Sequence, residues 1–256
     1  MNLRMAKERP RATLLLDGDI AAFKATLSAE TEVRWCDEKE GELWLLWTDL
    51  AKAKLHFENY LQSLTEKMGS HDLIIFLSDA ANFRKAIYPE YKANRRGTRK
   101  PMGYTPFREW LLSEWHAQVM PTLEADDAMG IHATSDLYDF PVIVSDDKDL
   151  QQIPGRVLRF GDVIEISEKQ GDFYFLQQTL QGDATDNYPG CPGIGEKRAT
   201  DALIKDPSWA TVVKLYEKAE LTEKDAIVQA RVARILRSSD WDHKQQKVKL
   251  WHPATG

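Results

Sequence analysis

Nine carboxylates in five short segments carry the chemistry legible in this 256-residue chain: Asp17; Asp79; Glu124, Asp126 and Asp127; Asp147 and Asp149; and Asp183 with Asp186. Any one of them alone reads as a turn residue or a helix cap, because a short carboxylate after a strand readily accepts from nearby amides. Gathered in one crevice, they would repel one another unless cations sat among them. Oxygen ligands without His or Cys favour hard cations such as Mg²⁺ or Mn²⁺, and magnesium suits substrates whose phosphate oxygens complete its shell. The chemistry such a set fits best is two-metal phosphodiester hydrolysis, where one ion activates water and both stabilise an in-line transition state.

Short apolar runs must position these acids. Arg11 to Leu16 stops at Asp17-Gly18-Asp19, which reads as a buried strand ending in a polar turn. Leu73 to Leu77 ends just before Asp79, and Val142 to Val144 runs into Ser145-Asp146-Asp147-Lys148-Asp149. Helical patterns at residues 49–68, 107–117 and 125–134 alternate with these strands, which predicts an α/β fold with a central, mostly parallel sheet flanked by helices. Ligands of such a sheet bind beyond the C-terminal ends of its strands, so the acids converge there. Residues 31–35 and 42–47 read as a hairpin. After about Gly182 the pattern becomes helical at 197–205, 209–219 and 223–236, and residues 247–251 form a last strand-like segment. The expected division is an α/β unit over 1–181 and a helical unit over 182–256, packed together.

Residues 84–108 hold eight Lys and Arg against one acid, Glu90, a local charge of +7. A charge run is usually a solvated face, but Phe83, Tyr88, Tyr91, Tyr104 and Phe107 interleave this one. Gly97, Pro101, Gly103 and Pro106 punctuate it, so a mobile loop at about 83–110 is expected. Beside a metal site, that composition suits phosphate neutralisation and base stacking, the latter worth roughly 1–3 kcal/mol per base. Lys92 and Arg95 are best placed to touch a scissile phosphate. Further on, residues 188–198 form a Gly-Pro turn entering a helix: Gly190, Gly193 and Gly195 allow close backbone approach, and Lys197 and Arg198 add charge where helix-start amides attract an anion.

Leu14 to Asp19 also fits the start of a haloacid-dehalogenase-like phosphatase, with Leu73 to Ser78 and Gly182 to Asp186 as its later motifs. Asp17 would then be a nucleophile forming an aspartyl-phosphate. That reading leaves Glu124 to Asp127, the Asp147 and Asp149 pair and the basic segment without a role. A non-catalytic DNA-junction binding module is the third reading.

Taken in order, DGD at 17–19, the strand ending in Asp79, FRK…YPEYKANR at 83–95, EADD at 124–127, SDDKDL at 145–150 and GDATDNYPGCPGIGEKRA at 182–199 resemble the flap endonuclease/5′→3′ exonuclease family. Within it, the chain is most similar to the short exonucleases of lytic tailed phages, and residues 233–237 through Trp251 match their end segment. The resemblance implies a PIN-like nuclease core, a helix–three-turn–helix element that binds duplex, and an arch or loop over the active site. It implies Asp17, Asp79, Glu124, Asp126 and Asp127 around a first divalent ion, with Asp147, Asp149, Asp183 and Asp186 at a second. Lys92 and Arg95 match the residues that position the scissile phosphate, Tyr91 is a stacking neighbour, and Arg84 and Arg96 are further DNA contacts. Gly190, Gly193, Gly195, Lys197 and Arg198 match the duplex-binding turn, where relatives hold K⁺ against backbone carbonyls. The segment matching the arch is short and rich in Gly and Pro, a departure that does not suit a closed helical arch. The implied partner is DNA with duplex 5′-ends or flaps, with RNA–DNA hybrids as further candidates, acted on by a monomer.

Composition agrees with an ordinary globular chain, 43% hydrophobic and 29% charged. Apolar runs are too short for a spanning helix, and the charged N-terminus is not followed by a cleavable apolar stretch. Cys36 and Cys191 form no metal or disulfide framework. These features predict a cytoplasmic protein, that of the host cell if the chain is phage-encoded. The net charge of −6 first argues against a nucleic-acid partner. Nine of the 40 acids belong to the candidate cation site, however, and the 31 that remain face 34 Lys and Arg.

Overall fold

Alternation along three apolar runs decides which layer each side chain joins. The computed structural model describes residues 12–37, 41–69, 71–95 and 97–253. Strand β1 (Ala12–Asp17) is buried throughout, as a strand covered on both faces must be. It leads into α1 (Gly18–Ser28), a projecting hairpin of β2 (Glu30–Asp37) and β3 (Gly41–Thr48), α2 (Leu50–Met68) and β4 (His71–Phe76). There follow α3 (Arg84–Ile87), α4 (Tyr104–Glu114), α5 (Ala125–Ala133), β5 (Pro141–Val144), β6 (Gly155–Arg159) and β7 (Asp162–Ile166). The chain closes with α6 (Glu168–Gln181), α7 (Glu196–Lys205), α8 (Trp209–Lys218), α9 (Glu223–Ala233), β8 (Trp241–Asp242) and β9 (Lys247–Val248).

The main sheet has the order β4-β1-β5-β6-β7, parallel except for β7. Leu15 sits opposite Ile74 of β4 and Ile143 of β5. Leu14, Leu16, Ile75, Leu77, Val142 and Val144 face a core built with α1, α2 and α4, whereas Leu15, Phe76 and Ile143 face a second core containing α5. The period-two switch between cores is what a two-sided parallel sheet requires.

Several elements depart from the sequence reading. Helix α1 starts within the segment read as a polar turn: Asp17 caps it, accepting from the Ile20 amide at 3.0 Å. Packed against neighbouring layers, its small apolar residues make no one-sided stripe. Helix α6 was also illegible, because Gly171 interrupts it and its buried face includes Gln177, Gln178 and Thr179. Phe175, Leu176 and Leu180 of α6 pack with Leu203, Val212, Tyr216 and Ala230. Helix α6 thus contributes part of the helical core. The final strand is shorter than expected, two residues paired with the unforeseen β8.

The basic segment is not simply a mobile loop. It holds α3, a 3₁₀ turn at Ala93–Arg95 and the start of α4. The Lys92 amide donates to the Asp186 carbonyl at 2.8 Å, and Asn94 Nδ2 donates to the Ala184 carbonyl at 2.9 Å. Among the described residues no helix is long and apolar enough to cross a membrane.

Candidate active site

From β1 the chain reaches β4 on one side and later β5 on the other, so the connections diverge at the C-terminal end of β1. Such a switch point opens a crevice, and here a cavity of about 900 Å³ occupies it. Asp17, Asp79, Glu124, Asp126, Asp147, Asp149, Asp183 and Asp186 all line this cavity.

Local structure explains each delivery. Asp17 ends β1; its second oxygen accepts from the Ser145 hydroxyl beyond β5 at 2.8 Å. Asp79 accepts from the Ala80 and Thr122 amides, both at 2.7 Å, tying the segment after β4 to the approach to α5. Glu124 and Asp126 open α5. Asp147 accepts from the Asp149 amide at 2.8 Å, and Asp183 accepts from the Thr185 amide at 2.6 Å just after Gly182 ends α6.

The acids fall into two electrostatic groups. Glu124 ion-pairs with Lys92 and accepts from the Tyr91 hydroxyl at 2.7 Å. Burial pushes its carboxyl up, but Lys92 and Arg84 win and hold it at about 2. Asp186 pairs with Arg95 and, at 3.5 Å, with Lys92. Lys148 lies 3.1 Å from Asp183, whose carboxyl is likewise held low against the effect of burial. By contrast, burial pushes Asp17 up to about 7, with Asp19 and Asp147 adding repulsion. Asp149 is also pushed up to about 7, by burial and then by Asp147. Asp126 is raised by burial and by the charges of Asp17, Asp147 and Glu124.

Asp17, Asp126 and Asp149 thus resist ionisation as they stand, and their oxygen-only chemistry fits a hard divalent ion that would relieve the repulsion. Among the described residues no three His, Cys, Asp or Glu side chains close into a cage on their own. The acids ring a broad cavity, a shape suited to ions that share their coordination with a substrate.

Lys92 and Arg95 both line the cavity. Lys92 holds a left-handed backbone, φ 54°, a conformation costly for a side chain other than glycine. The bonds that pin residues 92–94 to the 184–186 turn sustain it.

Four site assignments need correction. Asp127 is fully buried and lies outside the cavity lining. Adjacent residues on a helix point about 100° apart, so Asp126 and Asp127 cannot both face one site. Asp127 instead takes a bidentate pair from Arg84, at 2.6 and 2.7 Å. Arg84 lines the cavity but is only 3% exposed and also donates to the Val232 and Arg234 carbonyls, so its guanidinium is committed to internal ties and not offered to DNA. Tyr91 lines the cavity but is also only 3% exposed; its hydroxyl donates to Glu124 and Asp186 and its ring packs with Tyr188 and Val232, so it braces the acids. Gly190 is buried against Gly182: a Cβ there would lie 2.3 Å from the Gly182 amide nitrogen, at a φ of 64°. It closes the turn instead of meeting DNA.

Gly193, Gly195, Lys197 and Arg198 are exposed at the start of α7, with Gly195 as its N-cap and Arg198 donating to the Gly193 carbonyl at 2.8 Å. Arg96 lies outside the described residues. The sequence reading passed over Ser145 and Lys148; the position of Lys148 between two candidate ligands was the available signal. It counted Arg108 and Lys100 only as bulk charge, yet both line the cavity. Asp19, also in the lining, accepts from the Ser78 amide and the Tyr104 hydroxyl, each at 2.8 Å.

Comparison with known proteins gives this geometry a context. The sequence model of the 5′-3′ exonuclease N-terminal resolvase-like domain matches residues 12–174. The chain is 30% identical to an exodeoxyribonuclease of Enterobacteria phage T3, over 96% of this chain and 94% of that protein. It is 29% identical to an exonuclease of Escherichia phage T7, over 95% and 94%. Among solved structures, the flap endonuclease of bacteriophage T5, in a complex with DNA and metal ions, shares the fold. Its TM-score is 0.59 at 18% identity, over 87% of this chain and 93% of that one.

Proposed function

The chain belongs to the 5′-3′ exonuclease family, and from that premise we propose that it is a divalent-metal-dependent 5′→3′ exodeoxyribonuclease with structure-specific flap endonuclease activity. It hydrolyses phosphodiester bonds near DNA 5′-ends and leaves 5′-phosphate products. One observation carries the reading: carboxylates from five separate segments ring a single cavity at the sheet's switch point, with Lys92 and Arg95 in its wall.

Asp17, Asp79, Glu124, Asp126, Asp147, Asp149, Asp183 and Asp186 would hold two ions, Mg²⁺ or Mn²⁺. When bound, such ions supply an activated water and neutralise charge that develops at the phosphorus. The chain's own groups do the rest. Lys92 and Arg95, now turned toward Glu124 and Asp186, bind the non-bridging oxygens of the scissile phosphate and hold it for in-line attack. Lys100, Arg108 and Lys148 extend positive charge along the wall for the flanking phosphates. The bond must be drawn in among carboxylates, so the terminal nucleotides unpair first, at a cost of a few kcal/mol. Helices α6 and α7 and the turn between them serve as the duplex-binding element. Gly193, Gly195, Lys197 and Arg198 would face the backbone phosphates, and carbonyls of that turn would hold a potassium ion. The protein acts as a monomer in the host-cell cytoplasm, and RNA–DNA hybrids extend its substrate range.

The phosphatase reading leaves Glu124, Asp126, Asp147, Asp149, Lys92 and Arg95 without a role, although all of them line the same cavity as Asp17. The test incubates 5′- and 3′-labelled duplex and flap DNA with Mg²⁺, with or without EDTA. Mononucleotides or flaps released from the 5′-end only with metal support the proposal. Turnover of a simple phosphomonoester without DNA cleavage overturns it, and metal-independent DNA binding without cleavage would favour a binding module.

A further inference from the structure

A second cavity, of about 490 Å³, lies between α1, α2 and the β6–β7 turn. It backs onto the catalytic cavity and shares Asp17 and Ile20 with it. Its size falls in the range that holds small organic ligands. The floor is apolar: Ala21 and Ala25, one turn apart on α1, leave room between the helices that Leu16, Phe57, Leu64 and Leu158 line without filling.

The mouth has a different character. Tyr60 and Phe160 stand at it, 41% and 73% exposed. Phe160 adopts φ 47° at the tip of a hairpin where glycine or asparagine would carry less strain. The surroundings build this strained, solvent-facing ring into place. Asp146 accepts from the Phe160 amide at 2.7 Å and from Lys24, and Arg159 donates to the Asp146 carbonyl at 3.0 Å while its guanidinium lies 4.8 Å from the ring centroid. Lys67 also lines the mouth and makes no ion pair among the described residues. A cavity with an apolar floor, two aromatic residues and an uncommitted ammonium in its wall, and Ser28, His56 and Ser63 as further polar groups, is complementary to a nucleobase joined to a phosphate.

We propose that this cavity binds a nucleoside 5′-monophosphate, the product class of the reaction assigned above and therefore resting on that reading, and that its occupancy slows the enzyme. The base enters between α1 and α2 beside Tyr60 and Phe160, and the phosphate meets Lys67. An occupant presses on α1, whose N-cap is the cavity-wall carboxylate Asp17, so filling this site shifts a group the catalytic cavity depends on.

The test is calorimetric titration of the full chain, in EDTA, with dAMP, deoxyadenosine and inorganic phosphate, using wild type, Lys67→Ala and Phe160→Gly. Both altered side chains are exposed, and Phe160→Gly also removes a positive-φ penalty, so the fold survives; circular dichroism checks this. The expected result is one dAMP per chain, weakened at least tenfold by either substitution and at least tenfold tighter than deoxyadenosine or phosphate alone. Added dAMP should then slow cleavage of labelled DNA by wild type with an effect on kcat, and slow both variants far less. Affinity unchanged in both variants, or phosphate alone binding as tightly as dAMP, overturns the site. Wild-type protein that cleaves DNA yet shows no variant-sensitive binding overturns this inference and leaves the nuclease standing. Variant-sensitive binding by a chain that cleaves nothing overturns the nuclease assignment instead.

Discussion

Arg84→Met separates an internal tie from a DNA contact. The guanidinium makes two bonds to Asp127, at 2.6 and 2.7 Å, and one each to the Arg234 and Val232 carbonyls, at 2.6 and 2.9 Å. Methionine approximates the stem and supplies none of these donors. Removing one partner of a buried ion pair costs about 3–5 kcal/mol, and each orphaned carbonyl adds about 1–3 kcal/mol. Local relaxation offsets part of these costs, so a net loss of roughly 4–6 kcal/mol is expected. At roughly 2–4 °C per kcal/mol for a chain of this size, the melting temperature falls by about 8–24 °C. Arg84→Met with Asp127→Leu removes both charges and should recover only the unpaired-charge part of the loss, because the Val232 and Arg234 carbonyls stay unpaired and the Glu124 and Leu236 amides lose Asp127 as an acceptor. The assays are thermal unfolding by circular dichroism and DNA binding as a function of salt. A phosphate-contacting arginine would instead leave unfolding unchanged and lower the salt slope by about 0.9. Melting within 2 °C of wild type would refute the reasoning.

Three further outcomes follow from the same geometry. Asp147→Ala with Asp149→Ala should abolish cleavage while leaving DNA binding largely intact; residual activity within tenfold of wild type contradicts their ligand roles. Lys92→Ala should lower the single-turnover cleavage rate by about 10²–10³-fold, the usual effect of deleting one preorganised charge-stabilising donor, and a loss below fivefold would remove it from the phosphate site. In EDTA, Asp17 and Asp149 titrate near 7 when folded and near 4 when unfolded. Between those values the folded chain holds more protons, so stability falls as pH rises from about 4 to 7. Mg²⁺ should reverse that fall, by about 2.7 kcal/mol at a hundred times its Kd; a melting temperature that rises with pH in EDTA contradicts the repulsion.

Legibility tracked how local each signal was. Strands β1, β4 and β5 were readable because burial on both faces leaves uninterrupted apolar runs, and α2 because its core-facing stripe is one-sided. Helices α1 and α6 carry no such stripe, being packed on several sides or burying polar groups. The β6–β7 hairpin turns through Phe160 and Gly161 at positive φ, a weak turn signal in sequence, and its outer strand is mostly exposed. Within the site, the acids stood out because so many oxygen ligands follow strand ends. Which of them face the cavity depends on packing.

The sequence alone determined the chemistry available: oxygen ligands for hard cations, a basic segment rich enough to meet phosphates, and the parallel sheet that gathers both at one edge. Residue type and order along the chain suffice for that, because they set charge, ligand class and strand direction. Only the tertiary structure decided the roles within each motif. It turned Asp126 toward the cavity and Asp127 away, withdrew Arg84 and Tyr91 from solvent to brace the acids, and pressed Gly190 against Gly182. These outcomes depend on partners more than 30 residues away or on a close backbone approach, and no local pattern encodes which side of an element will be covered.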